Sequence, residues 1–140
     1  MTKPTLSPDL YRVVDANLNR LKEGIRVIED IMRYRNNNKA LSKKLKELRH
    51  LAYVDETLEL LKYRNSIDDV LRTSSKSELN RNDTISILTA NFKRGEESSR
   101  VLEELYKLEN IKYSENFKYI RYELYNLEKK ILLNEINKNE

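Results

Sequence analysis

The sequence predicts an all-α fold in which a duplicated antiparallel helical hairpin forms a four-helix domain with pseudo-two-fold symmetry. Three observations lead to this prediction. Only two glycines and two prolines occur in 140 residues, about a quarter of their average usage, so the residues that β-turns require are scarce. Both prolines lie near the amino terminus, which leaves long helices uninterrupted. Apolar residues recur at helical spacing, and one polar pattern occurs twice.

The first helix is predicted to begin after Ser7. The Ser7 hydroxyl can accept a hydrogen bond from an orphan backbone N–H, Pro8 fits the first helical position, and Asp9 suits the positive end of the helix dipole. At about 100° per residue, a set of apolar side chains then falls within an arc of about 80° and predicts a core-facing stripe. The asparagines at 36–38 predict the end of this helix. The stripe consists of Val14, Leu18, Leu21, Ile25, Ile28 and Met32.

A second amphipathic segment is predicted to extend to about Tyr63. The following stretch, residues 64–83, is polar, has no sustained period and is predicted to form a loop. Loops of about 20 residues inside compact domains tend to be functional or mobile. The apolar face of the second segment carries Leu41, Leu45, Leu48 and Ala52.

Two further helices are predicted in the second half of the chain. Asp83 or Asn82 can cap a third helix that extends to about Leu108, and Ser114 can cap a fourth that ends near Asn137. The four helices together would place the whole chain, residues 1–140, in a single domain.

An internal duplication relates the two halves. Residues 16–30 and residues 90–104, at an offset of 74, are identical at seven of fifteen positions, where average composition predicts about one. Residues 45–53 match residues 117–125 at an offset of 72, and a shorter interhelical loop explains the difference. We therefore predict repeats over about 10–63 and 84–137, joined by the loop at 64–83.

Polar residues recur at equivalent places in the two repeats. Arginine brings a planar fork suited to phosphate or carboxylate, and glutamate can pair with arginine or hold Mg²⁺. Two interpretations stay open: duplicated ion pairs between helices, or a cleft between the first and third helices that binds anions and metal. The repeated pairs are Asn17/Asn91, Arg20/Arg94, Glu23/Glu97, Arg26/Arg100, Glu29/Glu103 and Arg49/Arg121.

Composition excludes several kinds of site. The chain has no cysteine, which excludes disulfides and thiolate chemistry, and one histidine, His50, which excludes a multi-histidine metal site. A net charge of +4 mildly favours anionic partners. No apolar run is long enough to span a membrane and none resembles a signal peptide, so a cytoplasmic protein is expected, without membrane partners.

The two repeated segments, together with the motif Arg-Tyr-Glu-Leu-Tyr at 121–125 and Arg-Asn-Ser-Ile-Asp-Asp-Val at 64–70, resemble those of a known family. It is the small hydroxymethylpyrimidine phosphate kinase family, whose members occur alone or fused in front of thiamine-phosphate synthase. The resemblance covers about residues 10–130. It implies phosphorylation of 4-amino-5-hydroxymethyl-2-methylpyrimidine phosphate to the diphosphate by ATP, and functional association with thiamine-phosphate synthase. The chain departs from the family where Leu71 replaces a usual glycine.

The chemistry of that reaction suits the repeated residues. A phosphate monoester is already an anionic nucleophile, so no general base is needed, and catalysis reduces to aligning two polyanions. Neither a GxxxxGK[ST] nor a GxGxxG motif is present, so side chains must hold the phosphates. We expect catalytic roles for Arg20, Arg94, Arg26 and Arg100; substrate or nucleotide binding by Asn17, Asn91, Arg49, Arg121 and His50; and Mg²⁺ ligation by Glu23, Glu29, Glu97 and Glu103.

The loop and the surface carry further expectations. Arg64, with Asp68 or Asp69, could bind nucleotide from a loop that closes over it. For His50, an ordinary position on a helix face is favoured over a phosphate contact, because its repeat mate is a tyrosine. Val27 and Ile31 lie off the apolar stripe and leave open a second packing face or a homodimer contact.

Two other functions compete with a kinase. A helical nucleic-acid-binding module is compatible with the positive charge, but the repeated positions alternate basic with acidic residues, which would repel a phosphate backbone. A helical protein-interaction module without catalytic activity would leave the repeated polar pattern unexplained. Nucleic acid is therefore not an expected partner.

Overall fold

The computed structural model describes residues 6–79 and 81–138. These residues form helices and connections without a strand, so the all-α prediction is confirmed. The α-helices are α1 (Pro8–Asp30), α2 (Lys39–Leu51), α3 (Thr57–Tyr63), α4 (Lys76–Leu79), α5 (Thr84–Tyr106) and α6 (Ile111–Lys138), and a π-helical turn (Ile31–Arg35) follows α1.

The first hairpin connection follows the local signals in the sequence. The backbone N–H of Leu10 donates to the Ser7 hydroxyl at 3.4 Å, so Ser7 caps α1 as predicted. The π-helical turn widens the end of this helix, and Asn37 adopts a left-handed conformation with φ of 51°, which asparagine tolerates better than most residues. Asn38 then caps α2 by accepting a hydrogen bond from the Leu41 N–H at 3.0 Å.

The second helix is shorter than predicted, because the chain leaves the helical path after Leu51 and resumes it only in α3. The connection buries Val54, which is 1% exposed. It also brings the Glu56 carboxylate to the hydroxyls of Tyr11 and Tyr106, both of which donate to it. A helix continued straight to Tyr63 would carry these groups away from the core, so tertiary contacts override the local periodicity.

In the second hairpin, the first helix begins where predicted, but the second helix begins earlier than predicted. Asp83 caps α5 by accepting from the Ser86 N–H at 2.7 Å. The expected cap of the next helix, Ser114, is wrong: α6 begins earlier, where the Asn110 side chain accepts from a backbone N–H of the first turn. Ser114 is buried and donates instead to the Glu103 carbonyl at 2.8 Å, which ties α6 to α5.

Helices α1 and α5 form the centre of the domain, with α2 packed on α1 and α6 on α5. The two central helices are antiparallel, since Gly24 lies against Asn91 while Asn17 shares a cavity with Ser98. They approach closely at Gly24, where an added Cβ would lie 3.1 Å from the Asn91 carbonyl oxygen. The core behind them includes Leu21, Ile25, Ile28, Met32, Leu45, Leu48, Leu88, Phe92, Leu102, Tyr106, Phe117 and Ile120.

The two glycines of the chain differ in what limits their substitution. A Cβ on Gly24 meets backbone, whereas a Cβ on Gly95 meets the flexible end of Leu124 at 3.1 Å. Both glycines lie inside helices, where alanine gains up to about 1 kcal/mol in propensity. We therefore expect Gly95→Ala to melt at or above the wild-type temperature and Gly24→Ala to melt below Gly95→Ala. Thermal melting followed by circular dichroism checks the order, and a reversed order would contradict the backbone contact.

The carboxyl end of α6 closes over the first hairpin connection. The Glu135 carboxylate is 2% exposed and accepts from Arg35 at 3.0 Å and from the Asn36 side chain at 2.8 Å. Burial opposes its ionisation, but these hydrogen bonds outweigh burial and lower the pKa of Glu135. The end of α6 is therefore held by a charged contact across the domain.

Val27 and Ile31, for which a second packing face or a homodimer contact was left open, differ in their burial. Ile31 packs against the core, whereas Val27 is 37% exposed. In the part of the chain that the structure describes, no helix has the length and apolar character to cross a membrane.

Candidate functional site

Four of the repeated residues form one ion pair in each hairpin. Arg49 donates to the Glu29 carboxylate at 2.7 and 3.2 Å, and Arg121 donates through two nitrogens to one oxygen of Glu103 at 3.2 and 2.8 Å. Glu29 and Glu103 are 2% and 5% exposed, so each carboxylate depends mainly on its hydrogen-bonded arginine for compensation. Arg26 and Arg100 lie farther away, at 3.9 and 3.8 Å from Glu29 and Glu103. These residues hold α2 to α1 and α6 to α5, as duplicated contacts in a duplicated hairpin.

Electrostatics keeps both of these arginines charged. The hydrogen bond to Glu29 raises the pKa of Arg49 against the opposing effect of burial. Burial alone would lower the pKa of Arg121, but hydrogen bonds with Glu103 and Tyr125 outweigh it and raise the pKa. Both guanidinium groups are therefore bound to a carboxylate of a neighbouring helix.

Arg26 and Arg100, a third pair of repeated residues, also make equivalent contacts in the two repeats. Arg26 pairs with Asp30 at 3.4 Å, and Arg100 pairs with Glu104 at 3.1 Å, each along its own helix. Their side chains are 49% and 56% exposed, and exposed pairs of this kind contribute little to stability. They lie on the surface beside the two buried ion pairs.

Each repeated asparagine donates a hydrogen bond within its own helix. The Asn17 amide donates to the Val13 carbonyl at 2.9 Å, and the Asn91 amide donates to the Ile87 carbonyl at 2.8 Å. The equivalence of these contacts in α1 and α5 reproduces in three dimensions the duplication seen in the sequence. Asn17 also lies at the edge of a cavity.

That cavity lies between α1 and α5 and has a volume of about 370 Å³. Arg20 and Arg94, which occupy equivalent positions in the two repeats, both line it. Within residues 6–79 and 81–138, neither arginine makes a hydrogen bond or an ion pair with another side chain, and the same is true of Glu23 and Glu97. The lining consists of Asn17, Arg20, Ala90, Lys93, Arg94, Glu97, Ser98 and Val101.

The charge of the lining suits an anion. It includes three cationic side chains, Arg20, Lys93 and Arg94, and one carboxylate, Glu97. Arginines without a protein partner are available for bidentate contacts with phosphate. Of the residues predicted to act together, the structure brings Asn17, Arg20, Arg94 and Glu97 into this one place.

The two buried ion pairs lie elsewhere. Because Gly24 lies opposite Asn91 on the antiparallel partner, Glu29 lies opposite about residue 86, which is about 17 residues or about 25 Å along α5 from Glu103. The single cleft expected from the repeats, lined by all four arginines and all four glutamates of the first and third helices, is therefore not formed. In each repeat, one set of repeated residues forms a buried ion pair with a structural role, and another set lines the cavity.

The acidic residues expected to bind metal are likewise separated. Among the described residues, no three acidic or histidine side chains are close enough together to form a protein-only metal site. Mg²⁺ in nucleotide sites is usually held by one or two carboxylates together with substrate phosphates. Glu97, which is exposed and lines the cavity beside two arginines, fits that smaller requirement.

The segment predicted to be a loop over 64–83 contains the short helix α4, which the sequence prediction missed, and its first residues are anchored to α1. Arg64 donates to Asp15 through two hydrogen bonds of 2.8 Å, and Arg12 donates to the Asn65 carbonyl. This pairing raises the pKa of Arg64. Asp69 accepts from the backbone N–H of Leu71, whose side chain is 81% exposed. Arg64 thus holds the base of the loop in place.

Two further expectations concern side chains outside the cavity. His50 is exposed on α2, and the cavity is lined from α1 and α5, which agrees with an ordinary position on a helix face. Asp68 accepts from the Asn65 amide at 2.7 Å and shapes the loop turn.

Two cavity residues, Lys93 and Ser98, were missed because the duplication does not repeat them: their equivalents in the first half are Asn19 and Gly24. The signal that identifies them is spacing within α5. The cavity-lining side chains of this helix occupy positions i, i+3, i+4, i+7, i+8 and i+11 and therefore share one face. They are Ala90, Lys93, Arg94, Glu97, Ser98 and Val101.

Comparison with known proteins places the chain in a family. The ThiD2 family matches residues 12–130. Proteins named thiamine-phosphate synthase from Thermosynechococcus vestitus, Prochlorococcus marinus and a Nostoc species are 40%, 38% and 39% identical over 126, 125 and 124 residues. The matches cover 88–89% of this chain.

The chain spans only 35–36% of the length of these relatives. No solved structure matches it. The family match covers most of both repeats and the segment between them, and it confirms the resemblance seen in the sequence. The chain therefore belongs to the ThiD2 family.

Proposed function

We propose that this protein acts in thiamine biosynthesis and phosphorylates 4-amino-5-hydroxymethyl-2-methylpyrimidine phosphate to the diphosphate with ATP, in the cavity between α1 and α5. The family membership and the relatives named thiamine-phosphate synthase support the pathway. The observation that carries the reaction is the convergence of Arg20 and Arg94, without protein partners, on one cavity.

The chemistry requires charge neutralisation more than proton transfer. A non-bridging oxygen of the substrate monophosphate attacks the γ-phosphorus of ATP, a new P–O–P bond forms, and the bond from the γ-phosphorus to the bridging oxygen breaks to release ADP. Both reactants are polyanions, so their approach is opposed by repulsion that cations must offset. Arg20 and Arg94, one from each repeat, line the cavity from opposite helices, and in this proposal they contact the two phosphate chains.

The cavity lining offers one carboxylate as a ligand for Mg²⁺. When bound, Mg²⁺ would neutralise phosphate charge and orient the transferring group. Glu97 is the cavity residue that would hold it, and Asn17 offers a polar side chain near the same place. Glu29 and Glu103 are not available because each is bound to an arginine.

Substrate choice tests the proposal. The cavity lining has three cations, no histidine and one carboxylate, Glu97, which this proposal assigns to Mg²⁺, so we expect turnover of the monophosphate and at least about 100-fold slower turnover of the free alcohol, whose hydroxyl would need a general base. A coupled assay of ADP release with each acceptor measures both rates. Addition of EDTA should abolish the reaction.

The same assay separates a kinase from the alternatives. The absence of ADP release with MgATP and the monophosphate would contradict the kinase, and efficient turnover of the free alcohol would contradict the assigned chemistry. A nucleic-acid-binding module would instead bind oligonucleotides with affinity that falls steeply with salt concentration. Measurement of oligonucleotide binding at two salt concentrations is the matching control.

A further inference from the structure

The cavity between α1 and α5 lies beside the pseudo-two-fold axis that relates the two repeats. Gly24 lies against Asn91, and the equivalents of these two residues at the repeat offset, Ser98 and Asn17, share the cavity. The axis therefore crosses the helix pair midway between these two contacts. Any surface on one side of the axis consequently has a counterpart on the other side.

Arg20 and Arg94 flank this axis, and the cavity extends from them mainly over α5. Of the described residues that line it, six belong to α5 and two to α1. Because the repeats are equivalent, the six lining positions of α5 have counterparts on the corresponding face of α1, and we call these two sets the α5 half and the α1 half of the site. The α1 half consists of Ala16, Asn19, Arg20, Glu23, Gly24 and Val27.

The two halves are alike except at two positions. Alanine, arginine, glutamate and valine recur at equivalent places, so each half presents one arginine and one carboxylate. Val27 belongs to the surface of the α1 half, which accounts for its exposure of 37%. The differences are Lys93 in place of Asn19 and Ser98 in place of Gly24. The α5 half therefore carries one more positive charge than the α1 half.

Lys93 presents this additional charge to the cavity. Its side chain is 55% exposed, whereas the side chains of its partners Glu96 and Glu128 are 4% and 14% exposed and are not among the residues that line the cavity. An ammonium group has three N–H donors, so it can retain both carboxylates and still donate to a phosphate oxygen. Asn19 is neutral, and its amide donates to Asp15 at 3.2 Å. The α5 half can therefore hold more phosphate oxygens than the α1 half.

We propose that the α5 half is the subsite for ATP and the α1 half is the subsite for the pyrimidine monophosphate, with Arg20 and Arg94 between the two ligands. The inference rests on the proposed function. A triphosphate chain has more anionic oxygens than a monophosphate, which favours the half where Lys93 lies beside Arg94. Glu97 is in the same half, so the carboxylate assigned to Mg²⁺ is next to the nucleotide phosphates. The α1 half contains Glu23, whose carboxylate can accept a hydrogen bond from the amino group of the pyrimidine.

Binding of each ligand on its own tests this assignment without turnover. The probes are the non-hydrolysable ATP analogue AMPPNP with Mg²⁺ and the pyrimidine monophosphate, each titrated into the protein by isothermal titration calorimetry. Lys93→Met should weaken AMPPNP binding roughly 10- to 100-fold, the loss of one charge-assisted contact, and should change the affinity for the monophosphate much less. Glu23→Ala should weaken monophosphate binding roughly tenfold and leave AMPPNP binding unchanged.

Two further variants control for folding and for surface charge. Lys93 also compensates Glu96, whose side chain is 4% exposed. The double variant Lys93→Met/Glu96→Gln removes the cation together with the buried charge, and it should show the same selective loss of AMPPNP binding. Lys107→Met removes an exposed lysine at the carboxyl end of α5 and should leave both affinities unchanged.

The outcomes separate this inference from the proposed kinase. Equal weakening of both ligands by the two Lys93 variants, or loss of monophosphate binding alone, would overturn the assignment of the halves even if the protein releases ADP in the coupled assay. Selective effects of Lys93 on AMPPNP and of Glu23 on the monophosphate, in a protein without turnover, would support the two subsites and count against the kinase. Wild-type protein that binds neither ligand would overturn both proposals.

Discussion

Replacement of either cavity arginine by methionine, Arg20→Met or Arg94→Met, should lower turnover on the order of 10³-fold, the scale seen when a charge-stabilising arginine is lost in phosphoryl transfer. Neither arginine pairs with a described acidic side chain, and both face the same cavity. Their removal should therefore leave folding intact or improve it, because like charges around an empty cavity repel one another. Steady-state rates and thermal melting, with and without MgATP, measure both effects.

A surface arginine provides the control. Arg33, in the π-helical turn, is exposed and lies over the ring of Tyr34, so Arg33→Met should retain wild-type turnover and gain the same thermal shift with MgATP. Cavity variants that melt at a lower temperature and keep wild-type turnover would assign Arg20 and Arg94 to the scaffold. The phosphate site would then have to be sought near Arg64 and Asp69.

Loss of a buried ion pair should have the largest effect on stability. Arg121→Met leaves the Glu103 carboxylate, whose side chain is 6% exposed, without its main partner, and the removal of one member of a buried pair typically costs about 3–5 kcal/mol. We expect Arg49→Met to cost a similar amount, because Arg49 compensates Glu29 in the same way. Denaturation by urea at neutral pH measures both losses.

Two further variants test the cause. The double variant Glu103→Gln/Arg121→Met should recover most of the lost stability, because it removes the uncompensated charge together with its partner. Lys107→Met, which removes an exposed lysine paired with Glu104, should change stability by less than about 1 kcal/mol. A double variant no more stable than Arg121→Met would show that packing of the arginine side chain, and not charge compensation, is what the pair contributes.

Much of the fold could be predicted from local signals in the sequence. Ser7 and Asp83 cap the helices that they were expected to cap, because a capping side chain acts within a few residues of itself. Ser114 was misjudged for the opposite reason: its bond to the Glu103 carbonyl joins two helices. The early end of α2 likewise depends on Glu56, whose partners come from α1 and α5.

The candidate site could be predicted only in part. The duplication identified the polar residues that occur in both halves. Repetition alone, however, does not distinguish residues that stabilise the fold from residues that form the site. Glu29 and Arg49 recur because each hairpin needs its own ion pair, whereas Arg20 and Arg94 recur at a cavity. Lys93 lies beside Arg94 in the sequence and was passed over, because its equivalent, Asn19, is uncharged.

The contact between Glu135 and the first hairpin connection bears on where the domain can be cut. The family match ends at residue 130, yet Glu135 lies beyond it and bonds Arg35 and the Asn36 side chain. A fragment that ends at residue 130 would lack Glu135 and would leave Arg35 and the Asn36 side chain without this partner. For dissection of this protein, or for its fusion to another enzyme, the cut should therefore be placed beyond Glu135.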